Sequence, residues 1–304
     1  MNIFKKGFFL FLWSVCSLFA AEQTKVIAFA QDTMANDFRK AQVYEVRDEV
    51  AKHPNLSFVY SDAKGQTSLL IAQIEKFITM KVDLIILGTN DEQALVHVVA
   101  KAYHGGIPVI VLDRGINGDA FTTFINSDNV KIGTIGAKYI AQELGGKGEV
   151  LLFEGLQKAD VTKLRTKGFM EEIAKYKNIK VTKRTGNYLR KDAILEMEKL
   201  LQAGVHFDAV FAQSDSMISG VRSALEHYKI DPASLITIGC DYTSEAREAI
   251  KNSKQTGSVL FPLGGTKSIE VALKIFAGQD VPKHIVNPVK LVTKQNFKEV
   301  KAIF

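Results

Sequence analysis

Short runs of apolar residues that lack the alternation of a half-exposed strand constrain this chain most. They read KVIAFA (25–30), LSFVY (56–60), DLIIL (83–87) and IPVIVL (107–112). Between them the apolar spacing turns helical near 36–52, 66–80 and 91–104, and the last stretch closes on Gly105 and Gly106. A strand that is apolar throughout is covered on both faces, which calls for a parallel sheet wrapped by helices. The pattern then restarts. GEVLLF (148–153), NIKVTKR (178–184), FDAVFA (207–212) and SLITIG (234–239) read as strands, with helices near 162–176, 190–203 and 215–229. VDLIILGTND (82–91) and FDAVFAQSDS (207–216) even share a plan: an aspartate, four apolar residues, then a polar loop with a second aspartate. With 304 residues available, the expected fold class is α/β, two doubly wound parallel-sheet lobes.

The N-terminus differs. Lys5 and Lys6 precede GFFLFLWSVCSLFA (7–20) and then AEQTK. A basic start, a short apolar core and a polar sequel describe a secretory signal over 1–21, cut after Ala20 or Ala21. The apolar run is too short to span a bilayer comfortably. Trp13, Ser14 and Val15 make a weak lipidation signal ahead of Cys16, so lipoprotein anchoring is not expected. Export to the periplasm is. Loss of Lys5 and Lys6 takes the formal charge from +6 to +4. That excess is spread without a Lys/Arg cluster, so nucleic acid is not an expected partner. Cys240 is then the sole cysteine, and stability must come from packing rather than a disulfide.

In open parallel sheets, ligands sit beyond the carboxyl ends of the strands. The loops that matter are therefore 30–40, 112–115, 154–165, 212–216 and 239–243. One carries an adjacent pair, Asp113 and Arg114, at the tip of the most apolar strand. A carboxylate accepts two hydroxyl hydrogen bonds and a guanidinium donates to ring and hydroxyl oxygens, so the pair suits neighbouring hydroxyls. A solvated surface turn is the plainer reading of the dipeptide.

GIPVIVLDR (106–114), FINSDN (124–129), RTKGF (165–169), AVFAQSD (209–215) and TIGCD (237–241), in this order and spacing, resemble the ribose- and galactose-type periplasmic sugar-binding proteins, the soluble receptors of ABC importers. The resemblance runs from about Lys25 to Gln295. It implies two lobes, 22–127 plus 261–288 and 128–260 plus 289–304, joined by crossovers near 127–128, 260–262 and 287–289. It also implies ligand contacts from Asn36, Phe38, Asp113, Arg114, Arg165, Tyr188 and Asp241. For three of these the residues leave other roles open: Arg165 as a solvated helix-start arginine, Tyr188 as a loop residue, Asp241 as a helix N-cap.

The chain departs from the ribose-type pattern at Arg39, where an aromatic is usual, at Ser214, where asparagine is common, and at Phe261, where an amide precedes the hinge proline. Fewer amides make simple ribose doubtful. Arg39, Arg114, Arg165 and Lys163 together suggest a positive cleft open to an acidic or furanose-form sugar, with Asp32 and Asp37 as candidate neutralising groups. No enzyme is expected. GGKG (145–148) ends a helix rather than starting one, the six histidines show no metal spacing, and Cys240 abuts a carboxylate. No cofactor or metal is expected. The expected partners of a monomeric receptor are a small-molecule sugar and either an ABC permease or a chemoreceptor or sensor kinase.

Overall fold

The computed structural model describes residues 24–304; the expected export signal and Cys16 lie outside the described residues. The chain begins a first sheet with β1 (Lys25–Gln31), β2 (Leu56–Asp62), β3 (Leu84–Gly88), β4 (Val109–Leu112) and β5 (Thr123–Ser127). Helices α1 (Asp37–Val50), α2 (Thr67–Thr79) and α3 (Val96–His104) join the first four. Through α4 (Asn129–Glu143) it crosses to a second sheet of β6 (Lys147–Glu154), β7 (Asn178–Thr185), β8 (Ala209–Ala212), β9 (Ile236–Asp241) and β10 (Gly257–Leu260). There α5 (Asp160–Ile173), α6 (Arg190–Gln202), α7 (Asp215–His227) and α8 (Ser244–Lys251) make the connections. The chain returns through α9 (Gly265–Phe276) to β11 (His284–Asn287), then crosses a third time to β12 (Lys290–Thr293).

Each sheet has six strands, in the orders β11-β5-β4-β3-β1-β2 and β12-β10-β9-β8-β6-β7. The first is parallel throughout, and the second is parallel except for β12 against β10. The α/β reading with two doubly wound lobes is thus borne out. The continuous apolar runs have the cause inferred for them. Ala28, Ala30, Ile85, Leu87, Val109 and Val111 pack against α2 and α3. Their neighbours Ile27, Phe29, Leu84, Ile86, Ile110 and Leu112 pack against α1 and α9.

Sequence periodicity did not reveal β5, α4, α9 or the strands from β10 onward. Three of those strands are only four residues long. Helix α4 is interrupted by Gly133 and Gly136, residues that lower helix propensity. Its glycines have a packing reason. A Cβ at Gly133 would lie 2.0 Å from the Arg165 carbonyl oxygen, and one at Gly168 of α5 would lie 1.9 Å from the Val130 carbonyl oxygen. The backbones of α4 and α5 touch there, and that contact sets where Arg165 leaves α5.

Gly168→Ala should therefore lower stability by about 1–3 kcal/mol or more, because the clash is with backbone that cannot rotate away. Urea unfolding checks this, and an unchanged midpoint would contradict the close approach.

Candidate functional site

The carboxyl ends of the two sheets face each other around a small cavity with about 20 Å³ of free space. Asn36, Phe38, Asp113 and Arg114 line it from the first sheet's side. Val161, Arg165, Tyr188, Ser214 and Asp241 line it from the second, and Phe261 from a crossover. All of the expected site residues are present here except Arg39 and Lys163, and Val161 is an addition.

Two strands end on aspartates in left-handed backbone, Asp113 at φ 69° and Asp241 at φ 112°. Tyr242 follows at 65°, and Asn187 and Tyr188 sit at 53° and 61°. Non-glycine residues reach this region at a cost of about 1–3 kcal/mol each, and such strain gathers at sites of function. Here it turns each strand sharply so that the carboxylate meets the cavity.

Behind Asp113 lies a buried lattice of charge. The Arg39 guanidinium stands 3.2 Å from Asp113 Oδ2 and 3.6 Å from Asp32 Oδ1, donates to the Thr89 carbonyl at 2.8 Å, and donates to Gln42 Oε1 at 3.1 Å. Arg114 Nη1 lies 3.5 Å from Asp32 Oδ2. Arg39 is thus consumed by the protein and sits one layer behind the cavity wall. This corrects the expectation that it makes the cleft positive. Asp32 does neutralise it, whereas Asp37 faces Ser216 and Arg190 instead. Asp113 Oδ1 and Arg114 Nε and Nη1 are buried and without a hydrogen-bond partner among the described residues. A carboxylate acceptor and a guanidinium donor are therefore left side by side, and buried polar groups are rarely left so.

The other wall is held from below. Arg165 Nε donates to Asn129 Oδ1 at 2.8 Å and Nη1 to the Gln213 carbonyl at 2.6 Å, with the guanidinium 4.5 Å from the Phe261 ring centre. It is buried, not a solvated helix-start arginine. Phe261 stacks on Phe38, centroids 5.0 Å apart. Tyr188 packs on Gly155, where a Cβ would fall 1.9 Å from the ring. Its hydroxyl bonds Thr162 at 2.7 Å, and the Arg114 guanidinium lies 5.2 Å from its ring centre. Ser214 accepts from Met217 N–H as the cap of α7, so its hydroxyl oxygen is already engaged.

Asp241 does not cap α8; Thr243 does. Burial and then the neighbouring Asp215 hold the Asp241 carboxyl well above the usual carboxylate range. Asp215 accepts hydrogen bonds from Tyr242 N, Thr243 N, Ser258 Oγ and Gln255 Nε2. Burial pushes it up to about 6, and those four donors keep it from rising further. Asn36 has both polar ends spent: Oδ1 accepts from Arg39 N–H, and Nδ2 donates to the Tyr188 carbonyl across the cleft at 2.7 Å. Lys163 is exposed and pairs with Glu92 at 2.7 Å on the rim, because α5 turns it outward.

Residues 27–280 match the periplasmic binding protein domain. The chain belongs to the periplasmic binding protein family. This periplasmic binding protein is 31% identical over 298 residues to the ribose import binding protein RbsB of Bacillus subtilis (strain 168), covering 94% of this chain and 96% of that one. Its fold is similar to an ABC transporter solute-binding protein from Bacillus halodurans C-125 with bound myo-inositol, at a TM-score of 0.86 and 29% identity, covering 92% and 98% of the two chains. It is also similar to the fructose-binding periplasmic domain of a hybrid two-component system, at 0.84 and 28%, covering 90% and 92%.

Among site residues of this periplasmic binding protein, Asp160, Gln213, Asn129 and Asp215 escaped sequence reasoning as supports of the cavity. The motifs AQSD and SDN contain three of them, but nothing in a motif says which way a side chain turns.

Arg39→Gln leaves Asp113 buried without its nearest cation and Asp32 with Arg114 alone. It should destabilise the unliganded protein by about 3–5 kcal/mol, the cost of breaking one side of a buried ion pair. Chemical denaturation reads this out, and wild-type stability in the variant would show that Arg39 is not the counter-charge.

Proposed function

We propose that this periplasmic binding protein is a solute receptor that closes its two lobes on one neutral monosaccharide-sized polyol and delivers it to an ABC importer. The observation that carries the reading is the opposition of Asp113 and Arg114 on one sheet to Asp241 and Arg165 on the other, around a single small cavity. The closed gap holds only about 20 Å³ of free space, far below the roughly 300–1,000 Å³ of drug-sized sites, so a single-ring ligand is the largest it suits and the lobes must part to admit it. The charges favour a neutral ligand. Once ligand hydroxyls have ionised Asp241, Arg39, Arg114 and Arg165 are matched by Asp32, Asp113 and Asp241, and no cation is left over for a carboxylate or phosphate. Phe38, Tyr188 and Phe261 offer ring faces and edges to the C–H surface of a sugar.

The likeness to the Bacillus subtilis ribose import protein and to the inositol-bound receptor supports both the ligand class and the import role. With Ser214 engaged as a cap and Phe261 in place of an amide, ribose itself has fewer partners, and hexoses, furanose forms and cyclitols fit this site equally well. The lobes of the proposal are 22–127 plus 261–288 and 128–260 plus 289–304, hinged at the three crossovers. One chain completes the cavity, which supports a monomeric receptor held in the periplasm after removal of residues 1–21. A second reading keeps the site and changes the listener: the closed form is presented to a chemoreceptor or sensor kinase. The likeness to the fructose-binding domain of a two-component system favours it as the runner-up. Deletion of the gene separates the two, since an importer loses uptake and a sensor loses only a response.

A thermal-shift series with D-ribose, D-fructose, D-galactose, myo-inositol and D-galacturonate tests the ligand class. A neutral member at a hundred times its Kd should stabilise the fold by about 2.7 kcal/mol. Asp113→Ala and Asp241→Ala should each weaken that ligand roughly 10- to 100-fold, as each removes a charge-assisted hydrogen bond of about 1.5–3 kcal/mol. Stabilisation by galacturonate alone would overturn the neutral assignment.

The raised Asp241 carboxyl makes binding depend on pH with a definite sign. Hydroxyls that donate to the carboxylate favour its ionised form, so binding expels the proton that Asp241 holds in the empty closed site. Affinity should therefore rise with pH and fall on acidification. Calorimetry in two buffers of different ionisation enthalpy should show proton release, and proton uptake would contradict the assignment of Asp241 as hydroxyl acceptor.

A further inference from the structure

Closing two lobes needs contacts that exist only when they meet, and one of these is made by a carboxylate that does not itself line the cavity. Asp160 is the first residue of α5, on the second lobe. Its Oδ1 accepts the Val161 N–H at 2.8 Å, one of the donors that a helix start leaves unsatisfied. Its Oδ2 reaches the other lobe and accepts the backbone N–H of Gly115, also at 2.8 Å. Gly115 follows Arg114 directly, so this bond clamps the backbone that carries Asp113 and Arg114. The fit is close: a Cβ on Gly115 would stand 3.2 Å from that same carboxylate oxygen and 3.4 Å from the Phe124 ring.

We propose that Asp160 is a positioning residue of the sugar site: a closure latch that holds the Asp113–Arg114 turn by its backbone once the lobes have met, and so governs how slowly ligand leaves. The inference rests on the receptor function proposed above. Asp160 makes no bond to the first lobe other than the one to Gly115, so the latch exists only in the closed form and acts on release rather than on encounter. The other direct bridges among the described residues, Asn36 to the Tyr188 carbonyl, Ser216 and Arg190 to Asp37, and Lys163 to Glu92, lie on the cavity wall, at helix starts or on the exposed rim. Removing Asp160 leaves the half-buried Gly115 N–H without its partner in the closed state and solvated in the open one. The penalty therefore falls on closure alone.

The latch is also sensitive to acid. The charged groups that face Asp160 are Asp113 and Arg114 from the turn after β4, and Lys163 from its own helix, which is itself paired with Glu92. Burial, with Asp113 adding to it, lifts the Asp160 carboxyl above its ordinary range, against the two backbone donors and Arg114. Both of its oxygens accept, so only the ionised form serves both bonds, and acidification loosens the latch.

The test uses the full mature chain with spin labels at Met80→Cys and Leu195→Cys, exposed positions on opposite lobes, while Cys240 is buried and stays unlabelled. Interlobe distance distributions of the sugar-free chain are compared with those of Asp160→Ala and Asp160→Asn at neutral and mildly acidic pH. The expected result is a closed share reduced about 10- to 100-fold by Asp160→Ala and less by Asp160→Asn. Acidification should shrink the closed share in the parent and not in either variant beyond the change common to all three. For whichever of D-ribose, D-fructose, D-galactose or myo-inositol binds, stopped flow should show faster dissociation with association unchanged, at an unaltered melting temperature without sugar. Distance distributions that match the parent at both pH values would overturn the latch. If the distances shift but none of the four sugars binds the parent protein, the latch stands and the receptor reading fails.

Discussion

The contact between the Arg39 guanidinium and Asp113 governs much else in this molecule. Two buried ions are costly to hold away from water unless geometry and further hydrogen bonds compensate them. Here Thr89 and Gln42 accept hydrogen bonds from Arg39, and Asp32 adds a second carboxylate 3.6 Å from its Nε. The result is a carboxylate fixed through one oxygen, with the other unspent and beside the free edge of Arg114. A left-handed turn at Asp113 is tolerable because that lattice anchors it. The same lattice removes Arg39 from the cavity wall, which is why an arginine at an aromatic position adds order rather than charge.

The second lobe solves the matching problem differently. Behind Asp241 lies another carboxylate, Asp215, whose effect outweighs that of Arg165. Asp215 is tied down by two backbone donors, a serine and a glutamine. One wall thus presents a carboxylate paired with the Arg39 guanidinium, and the other a carboxyl held well above the usual carboxylate range. Two sheets of the same architecture carry electrostatically unlike faces.

The fold was legible because burial on both sheet faces leaves continuous apolar runs, and those runs are unbroken in β1, β3, β4, β6 and β8. Elements that lie at edges or crossovers gave little signal: β10, β11 and β12 carry only two consecutive apolar residues each, and α4 has its apolar stripe broken by Gly133, packed on α5, and Gly136, packed on Phe211. Most of the cavity wall followed from strand ends and from the family resemblance. The failures share one cause. Arg39 and Lys163 were placed by residue type and position, yet which way a long side chain turns depends on partners distant in sequence, Asp113 for the one and Glu92 for the other. Asn36 lines the cavity as expected, but its amide is engaged at both ends, a fact fixed by Tyr188 152 positions away.

The stacked pair Phe38 and Phe261 belongs to an apolar cluster that continues from the second sheet through Leu263 to Ala41 of α1. The bearing on which the lobes turn is therefore greased rather than wired. Grease of this kind strengthens with warmth over the range where apolar hydration is entropic, and weakens in the cold. The shut form accordingly gains on warming through that range, and its formation carries a negative heat-capacity signature that salt links along the rim do not supply.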